Sequence, residues 1–300
     1  MIRIHDCVEP IEIIEPEYLT SPIIVASPHS GDHYPSDLMN ASILNKESLR
    51  RSEDCYVDDL FSAAGSHRIP FIRAIYARAY LDLNREPFEL DPDMFSTPLP
   101  DYCNTSSARV AVGLGTIPRI VANRKEIYSR KLDFEEAEMR ISSIYKPYHK
   151  ALRSLVNRTR HYFGYCILLD CHSMPSLGLP SSSYDSKKTI NIVLGDLNGL
   201  SCSPAITDET DRIFQSLGYS LGRNNPYSGG FTTQHYGDPA NGVHAIQIEL
   251  NRNIYMNESS LSRRPGFTKL KADIGQLLEQ LTQFSIHSRN ELSFQRLSAE

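Results

Sequence analysis

Apolar residues recur along this chain in short runs, and each run is followed closely by a polar cluster. The clearest is Cys166-Ile167-Leu168-Leu169, which has no polar interruption and reads as a strand buried on both faces. It breaks into Asp170, His172 and Ser173 just ahead of Pro175. Pro22 to Ser27 reads as a second buried strand, stopped by the proline-bracketed loop Pro28-His29-Ser30-Gly31-Asp32-His33-Tyr34-Pro35. Phe71 to Tyr76 is a third and leads to Leu81-Asp82-Leu83-Asn84-Arg85. Thr189 to Leu194 alternates as a strand, and Val243 to Leu250 is another, carrying Glu249 near its end and Arg252 just beyond.

Helical spacing lies between these runs. Lys46 to Ala64 reads as a helix on Leu49, Tyr56, Val57, Leu60 and Phe61, with Asp54 and Asp58 four apart on one face. Asn123 to Phe163 is the strongest helical region, one helix or two broken at Pro147. Ile206 to Leu217, ended by Gly218, and Phe267 to Phe284 are two more. Residues 1–20 form a strand-and-turn lead-in, 87–118 a long irregular segment of the kind that often serves as a lid, 176–188 a loop, and the tail after Ser288 is frayed. Strands alternating with helices predict an α/β fold, a three-layer α/β/α sandwich on a mixed, mostly parallel sheet, in a single domain over residues 1–300. In such sheets ligands sit at the carboxyl ends of the strands, where the polar clusters fall.

Composition narrows the chemistry. The 300 residues are 40% hydrophobic and 22% charged with a net charge of -5, which offers no basic footprint for nucleic acid or anionic membrane and points to a small-molecule partner. The start lacks a signal-peptide pattern and no apolar run is long enough to span a bilayer, so a cytoplasmic location is expected. The six cysteines are scattered with no Cys-x-x-Cys pair, so free thiols are expected and any metal must use histidine and carboxylate.

Five clusters converge if the strands share one sheet: His29/Asp32, Asn84/Arg85, Asp170/His172, His235/Tyr236 and Glu249/Arg252. Two histidines and a carboxylate make the ligand set of many catalytic zinc sites, and His29, Asp32 and His172 supply one. Water activated there needs a base, for which Glu249 is placed. Arg85 or Arg252 suits capture of a carboxylate. Each residue also has a plainer reading. A histidine after a strand can be a structural hydrogen-bonded group, Asp32 beside Gly31 can be a turn residue, Asp170 can orient a histidine or cap a turn, and either arginine can form a surface ion pair. His33, His235 and His244 have no evident partner in the sequence, and Ser30, Ser173 and Cys171 lack the surroundings of a hydrolase nucleophile.

Taken in order, Ser27-Pro28-His29-Ser30-Gly31, Asp82-Leu83-Asn84-Arg85, Asp170-Cys171-His172-Ser173-Met174-Pro175, Gly229-Gly230-Phe231-Thr232 and Glu249-Leu250-Asn251-Arg252 resemble the N-formylglutamate amidohydrolase family, over most of residues 20–285. That family is similar in fold to the zinc carboxypeptidases. The resemblance implies one Zn2+ or another divalent transition metal on His29, Asp32 and His172, with Asp54 and Asp58 as reserve ligands because the related pattern has Glu where Asp32 stands. It implies Glu249 as general base, Arg85 with Asn84 on a substrate carboxylate, Arg252 or Arg78 assisting, and Tyr236 at the place of a mobile tyrosine. The expected activity is hydrolysis of an N-acyl amino acid, N-formyl-L-glutamate in the simplest case.

Overall fold

A computed structural model of the chain describes residues 8–121, 124–176 and 189–288. Its packing falls into two compact units interleaved in sequence, the first drawing on the described parts of residues 1–12, 28–55 and 73–151, the second on those of 13–27, 56–72 and 152–300. Strands β1 (Ile11–Ile14), β2 (Ile23–Ser27), β3 (Phe71–Ala74), β4 (Cys166–Met174), β5 (Ile192–Gly195), β6 (Leu221–Arg223) and β7 (Val243–Asn251) form a seven-stranded sheet in the order β1-β3-β2-β4-β7-β5-β6. β2, β4 and β7 run parallel, as do β5 and β6, while β5 is antiparallel to β7. β4 and β7 are buried at all nine positions. Successive side chains of a strand point to opposite faces, so both faces of this sheet are covered, as the apolar runs predicted.

β4 does not stop where its apolar run stops. It continues through Asp170, Cys171, His172 and Ser173 to Met174, in unbroken register with β7 from Cys166↔Val243 to Met174↔Asn251. Asp170 and His172 lie two apart on one face, with His172 Nε2 3.0 Å from Asp170 Oδ1, and the backbone ladder to β7 continues past both, so polar residues do not end the strand.

The expected helix over Lys46 to Ala64 is instead four separate turns: Lys46–Leu49, Arg50–Ser52, Val57–Leu60 and Ser62–Ala64. Glu53 is extended and Tyr56 sits in the left-handed region at φ 67°, which breaks the helical path between them. Glu53 causes the break, because its buried carboxylate accepts from Tyr34 Oη at 2.6 Å, Arg50 Nε at 3.1 Å and Cys55 Sγ at 3.0 Å. Asp54 and Asp58 therefore share no helix face: Asp54 is buried and Asp58 half-buried, accepting from the next backbone N–H.

The long helical region starts later than its spacing suggested. α1 (Phe134–Arg140) opens at Asp133 with a capping box to Glu136, and Ile120–Val121 pairs with Lys125–Glu126 as a small hairpin. Pro147 breaks nothing. A π turn over Ile141–Tyr145, with Lys146 N–H bonding back to Ile141 O, joins α1 to α2 (Lys146–Phe163) without a gap, and this wider turn just ahead of the proline lets the helix run through it. α3 (Pro204–Ser216), α4 (Phe231–Tyr236) and α5 (Gly266–His287) complete the longer helices, and among the described residues none is long and apolar enough to cross a membrane. The expected loop at 176–188 and the tail after Ser288 lie almost wholly outside the described residues.

Candidate active site

In the first unit the loop after β2 carries His29 into a buried polar knot. His29 Nε2 is 2.7 Å from Asp82 Oδ1, and Nδ1 is 3.4 Å from Asp54 Oδ2, with all three side chains buried. The backbone ties the two segments together, since Asp54 N–H donates to the His29 carbonyl at 3.0 Å. Asp82 also accepts from Arg78 Nε at 2.9 Å and from Asn84 N–H at 2.9 Å, and Arg85 Nη2 lies 3.6 Å away. Burial pushes the Asp82 carboxyl up, but Arg78, Arg85 and His29 together outweigh it and hold the group well below the ordinary carboxylate range. Burial pulls the Arg85 guanidinium down to about 10, opposed by Asp82 and assisted by the neighbouring charges of Arg78 and Arg109. Two of its N–H groups are committed to backbone, Nε to Leu114 O at 2.8 Å and Nη1 to Asn84 O at 2.7 Å, which fixes its plane.

The second unit holds the sheet-borne residues. Parallel pairing sets His172 beside Glu249 and Asp170 beside Gln247 on adjacent strands. Glu249 is buried and its Oε1 accepts from Gln247 Nε2 at 2.8 Å. Arg252 is buried too, with Nε donating to Ser173 Oγ at 3.0 Å, so it is no surface ion pair. Tyr236, at the end of α4, is buried with the Arg153 guanidinium 4.3 Å above its ring. Burial pushes its phenol up against the pull of Arg153.

Of the expected site residues, His29, Asn84, Arg85 and Arg78 gather around Asp82, while Asp170, His172 and Glu249 line β4 and β7. Asp32 does not join them. It is exposed on its loop, because Gly31 is pressed against the Ile75–Tyr76 backbone, where a Cβ would lie 2.3 Å from the Tyr76 carbonyl oxygen. Asp54, a reserve carboxylate, is the acid that faces His29 Nδ1, opposite Asp82 at Nε2. His33 packs edge-on against Tyr76, His244 accepts from Ser203 N–H, and His235 stacks on Phe231.

A family model described as N-formylglutamate amidohydrolase matches residues 21–256. The chain belongs to the N-formylglutamate amidohydrolase family. It is thereby a hydrolase acting on an amide bond. A curated N-formylglutamate deformylase of Pseudomonas putida is 30% identical over 241 residues, covering 79% of this chain and 83% of that relative. The Pseudomonas aeruginosa deformylase is 27% identical over 265 residues, covering 87% and 92%. The crystal structure of N-formylglutamate amidohydrolase from Ralstonia eutropha JMP134 matches with a TM-score of 0.86 at 32% identity, over 94% of this chain and 100% of that one.

Two site residues escape a reading of the sequence. Asp82 was visible only as the first letter of the Asp-Leu-Asn-Arg motif, yet it anchors His29 and both arginines. An acid between Leu81 and Leu83 was the available signal. Arg109 acts on Arg85 from a segment with no strand nearby in sequence, and nothing in the local pattern marks it.

Proposed function

We propose that this chain is a zinc-dependent N-formyl-L-glutamate amidohydrolase, releasing formate and L-glutamate, with His29, Asp54 and His172 as the metal ligands. The observation that carries this is the His29 ring: with Nε2–H directed at Asp82, Nδ1 turns its lone pair toward the Asp54 carboxylate at 3.4 Å. Two acceptors so placed repel unless a cation lies between them. His29 and Asp54 each offer a buried ligand atom in the first unit, and His172 in the motif at the end of β4 is the second histidine, a donor set that suits a three-ligand catalytic zinc site. Asp54 thus takes the role first given to Asp32, with Asp82 and Asp170 orienting the two histidines.

Zinc held there would act as a Lewis acid and lower the pKa of water. Glu249 takes the proton of the attacking water and returns it to the leaving nitrogen. Arg85, with Asn84 and Arg78, forms a cationic group around Asp82 suited to a substrate carboxylate, and Arg252 braces the end of β4 through Ser173. Burial keeps the Tyr236 phenol protonated, so it is suited to donating a hydrogen bond to the substrate and not to acting as a base. The five free cysteines among the described residues support a reducing, cytoplasmic setting.

The test pairs elemental metal analysis with formate release. One zinc per chain and turnover of N-formyl-L-glutamate above N-acetyl-L-glutamate are expected. Glu249→Gln should keep the metal and lose roughly 100- to 10,000-fold in turnover. Asp54→Ala should lose the metal while Asp32→Ala keeps it; the reverse would return the ligand role to Asp32.

A further inference from the structure

The segment from Tyr80 to Glu86 carries Asp82, Asn84 and Arg85, yet it belongs to no helix or strand. Its carbonyls have no ladder or helical turn to bond to, so donors must come from elsewhere. Side chains supply them. Arg140 Nη1 donates to Tyr80 O at 3.2 Å, His149 Nε2 to Leu83 O at 2.9 Å, Arg85 Nη1 to Asn84 O at 2.7 Å, Tyr145 Oη to Arg85 O at 2.7 Å, and Thr116 Oγ1 to Glu86 O. Arg140, Tyr145 and His149 all lie on the helical stretch that runs from α1 through the π turn into α2. Their spacing gives the π turn a purpose. In an unbroken α-helix, at about 100° per residue, side chains five apart stand about 140° from each other round the axis. A π turn takes five residues where an α turn takes about four, so Tyr145 comes round to the face of Arg140, and His149, four further on, follows it. The Tyr145 and His149 rings lie 4.2 Å apart and brace each other.

Arg85 is gripped through its backbone and along its side chain. Tyr145 holds its carbonyl, while Nε and Nη1 are committed to Leu114 O and Asn84 O. Nη2 is different. It stands 3.6 Å from Asp82 Oδ2, beyond hydrogen-bond range, and bonds to no group among the described residues. Arg78 Nε reaches the same Asp82 oxygen at 2.9 Å, and its side chain is 22% exposed, which opens this corner to solvent. Nη2 is therefore the part of the Arg85 fork left for an incoming carboxylate.

We propose that Tyr145 and His149 are positioning residues for the carboxylate clamp: held in line by the π turn, they fix the Leu83–Arg85 backbone and thereby aim Arg85 Nη2. This rests on the reading above of Arg85 as the group that takes a substrate carboxylate. A carboxylate remote from the scissile bond is gripped alike in the bound substrate and in the transition state. Loosening Arg85 therefore raises KM and spares kcat.

The test measures L-glutamate binding by calorimetry and formate release from N-formyl-L-glutamate in the zinc-loaded protein. Tyr145→Phe removes the hydroxyl and keeps the ring. It should weaken L-glutamate about tenfold, raise KM by a like factor, hold kcat within about twofold and leave zinc affinity unchanged. A zinc affinity or kcat that fell as far as the L-glutamate affinity would show a general loosening and overturn the proposal. If Tyr145 acts through Arg85, its effect must vanish once Arg85 is gone. On an Arg85→Met background, Tyr145→Phe should change the Kd by less than about twofold, and a loss of about tenfold there would overturn the proposal. Should Arg85→Met not fold, the His149 variants decide. His149→Gln keeps an N–H within reach of Leu83 O and should bind L-glutamate like the wild type, whereas His149→Phe should weaken it about tenfold; equal losses in the two would overturn the proposal. A wild type that shows these binding losses but releases no formate would overturn the substrate reading and leave the positioning role standing. Weaker L-glutamate binding in Arg85→Met with none in Tyr145→Phe would do the reverse.

Discussion

His29 is held at one ring nitrogen by the buried Asp82 carboxylate and faces a second buried carboxylate, Asp54, with the other, and the two acids do different work. Asp82 is saturated with donors from His29, Arg78 and Asn84, which fits an orienting anchor, whereas Asp54 faces the remaining nitrogen. Asp82→Asn removes the charge but keeps the shape. It should weaken zinc binding about 10- to 100-fold in a competition titration, because the ring loses its orienter, while Asp32→Asn leaves zinc affinity unchanged. His235 offers a pH test. Arg153 Nη2 donates to its Nε2 at 2.7 Å, which requires a neutral ring, and burial together with the Arg153 charge lowers its pKa. The unfolded chain then takes up the proton first, so this residue withdraws stability as pH falls through about 6.5, the ordinary histidine value. An NMR titration should place its midpoint below that value, and Arg153→Met should raise it; an unchanged midpoint would show that the Arg153 contact does not bear on the ring. Single residues were legible where type and neighbourhood agreed, as for His29, His172 and Glu249. Asp82 and Gln247 were missed because each sits beside a more conspicuous residue, and only the hydrogen bonds reveal which partner it serves.

The strands were readable for a simple reason. β2, β4 and β7 are buried on both faces, so their apolar runs carry the signal directly. Helical spacing proved a weaker guide over Lys46 to Ala64, where four short turns happen to bury residues at helical intervals. What decided that segment was the carboxylate of Glu53, and contacts to Tyr34 from nineteen residues upstream are invisible to local periodicity. Tyr34→Phe removes one donor from that buried carboxylate and should cost about 1–3 kcal/mol in urea unfolding. At the opposite end of the sheet, β5 depends on a missing side chain. Gly195→Ala would force its Cβ against the Ser228 and Gly229 backbone, which cannot swing aside like a side chain. About 1–3 kcal/mol of destabilisation is expected, read as a lower urea midpoint at unchanged slope. A neutral substitution would mean that the loop does not press on β5.

For the chain as a whole, composition indicated the class and the order of motifs from His29 to Arg252 indicated the family, but neither could reveal two interleaved packing units, which depend on contacts between segments far apart in sequence. The same is true of the proposed ligand set, because Asp54 comes to face His29 only by folding. A metal bound to such donors is therefore bound to the folded state alone, and its affinity must appear as stability. At free zinc 100-fold above its dissociation constant the contribution is about 2.7 kcal/mol. For a chain of this size that corresponds to a rise in Tm on the order of 5 °C. Stripping the protein with a chelator should lower Tm by that amount, and readding zinc should restore it together with formate release. Asp54→Ala should show the lower Tm from the outset and no response to zinc, whereas Asp32→Ala should respond like the wild type. A Tm indifferent to zinc in the wild type would mean that His29 and Asp54 face each other across a proton rather than a metal, and the hydrolytic reading would lose its centre.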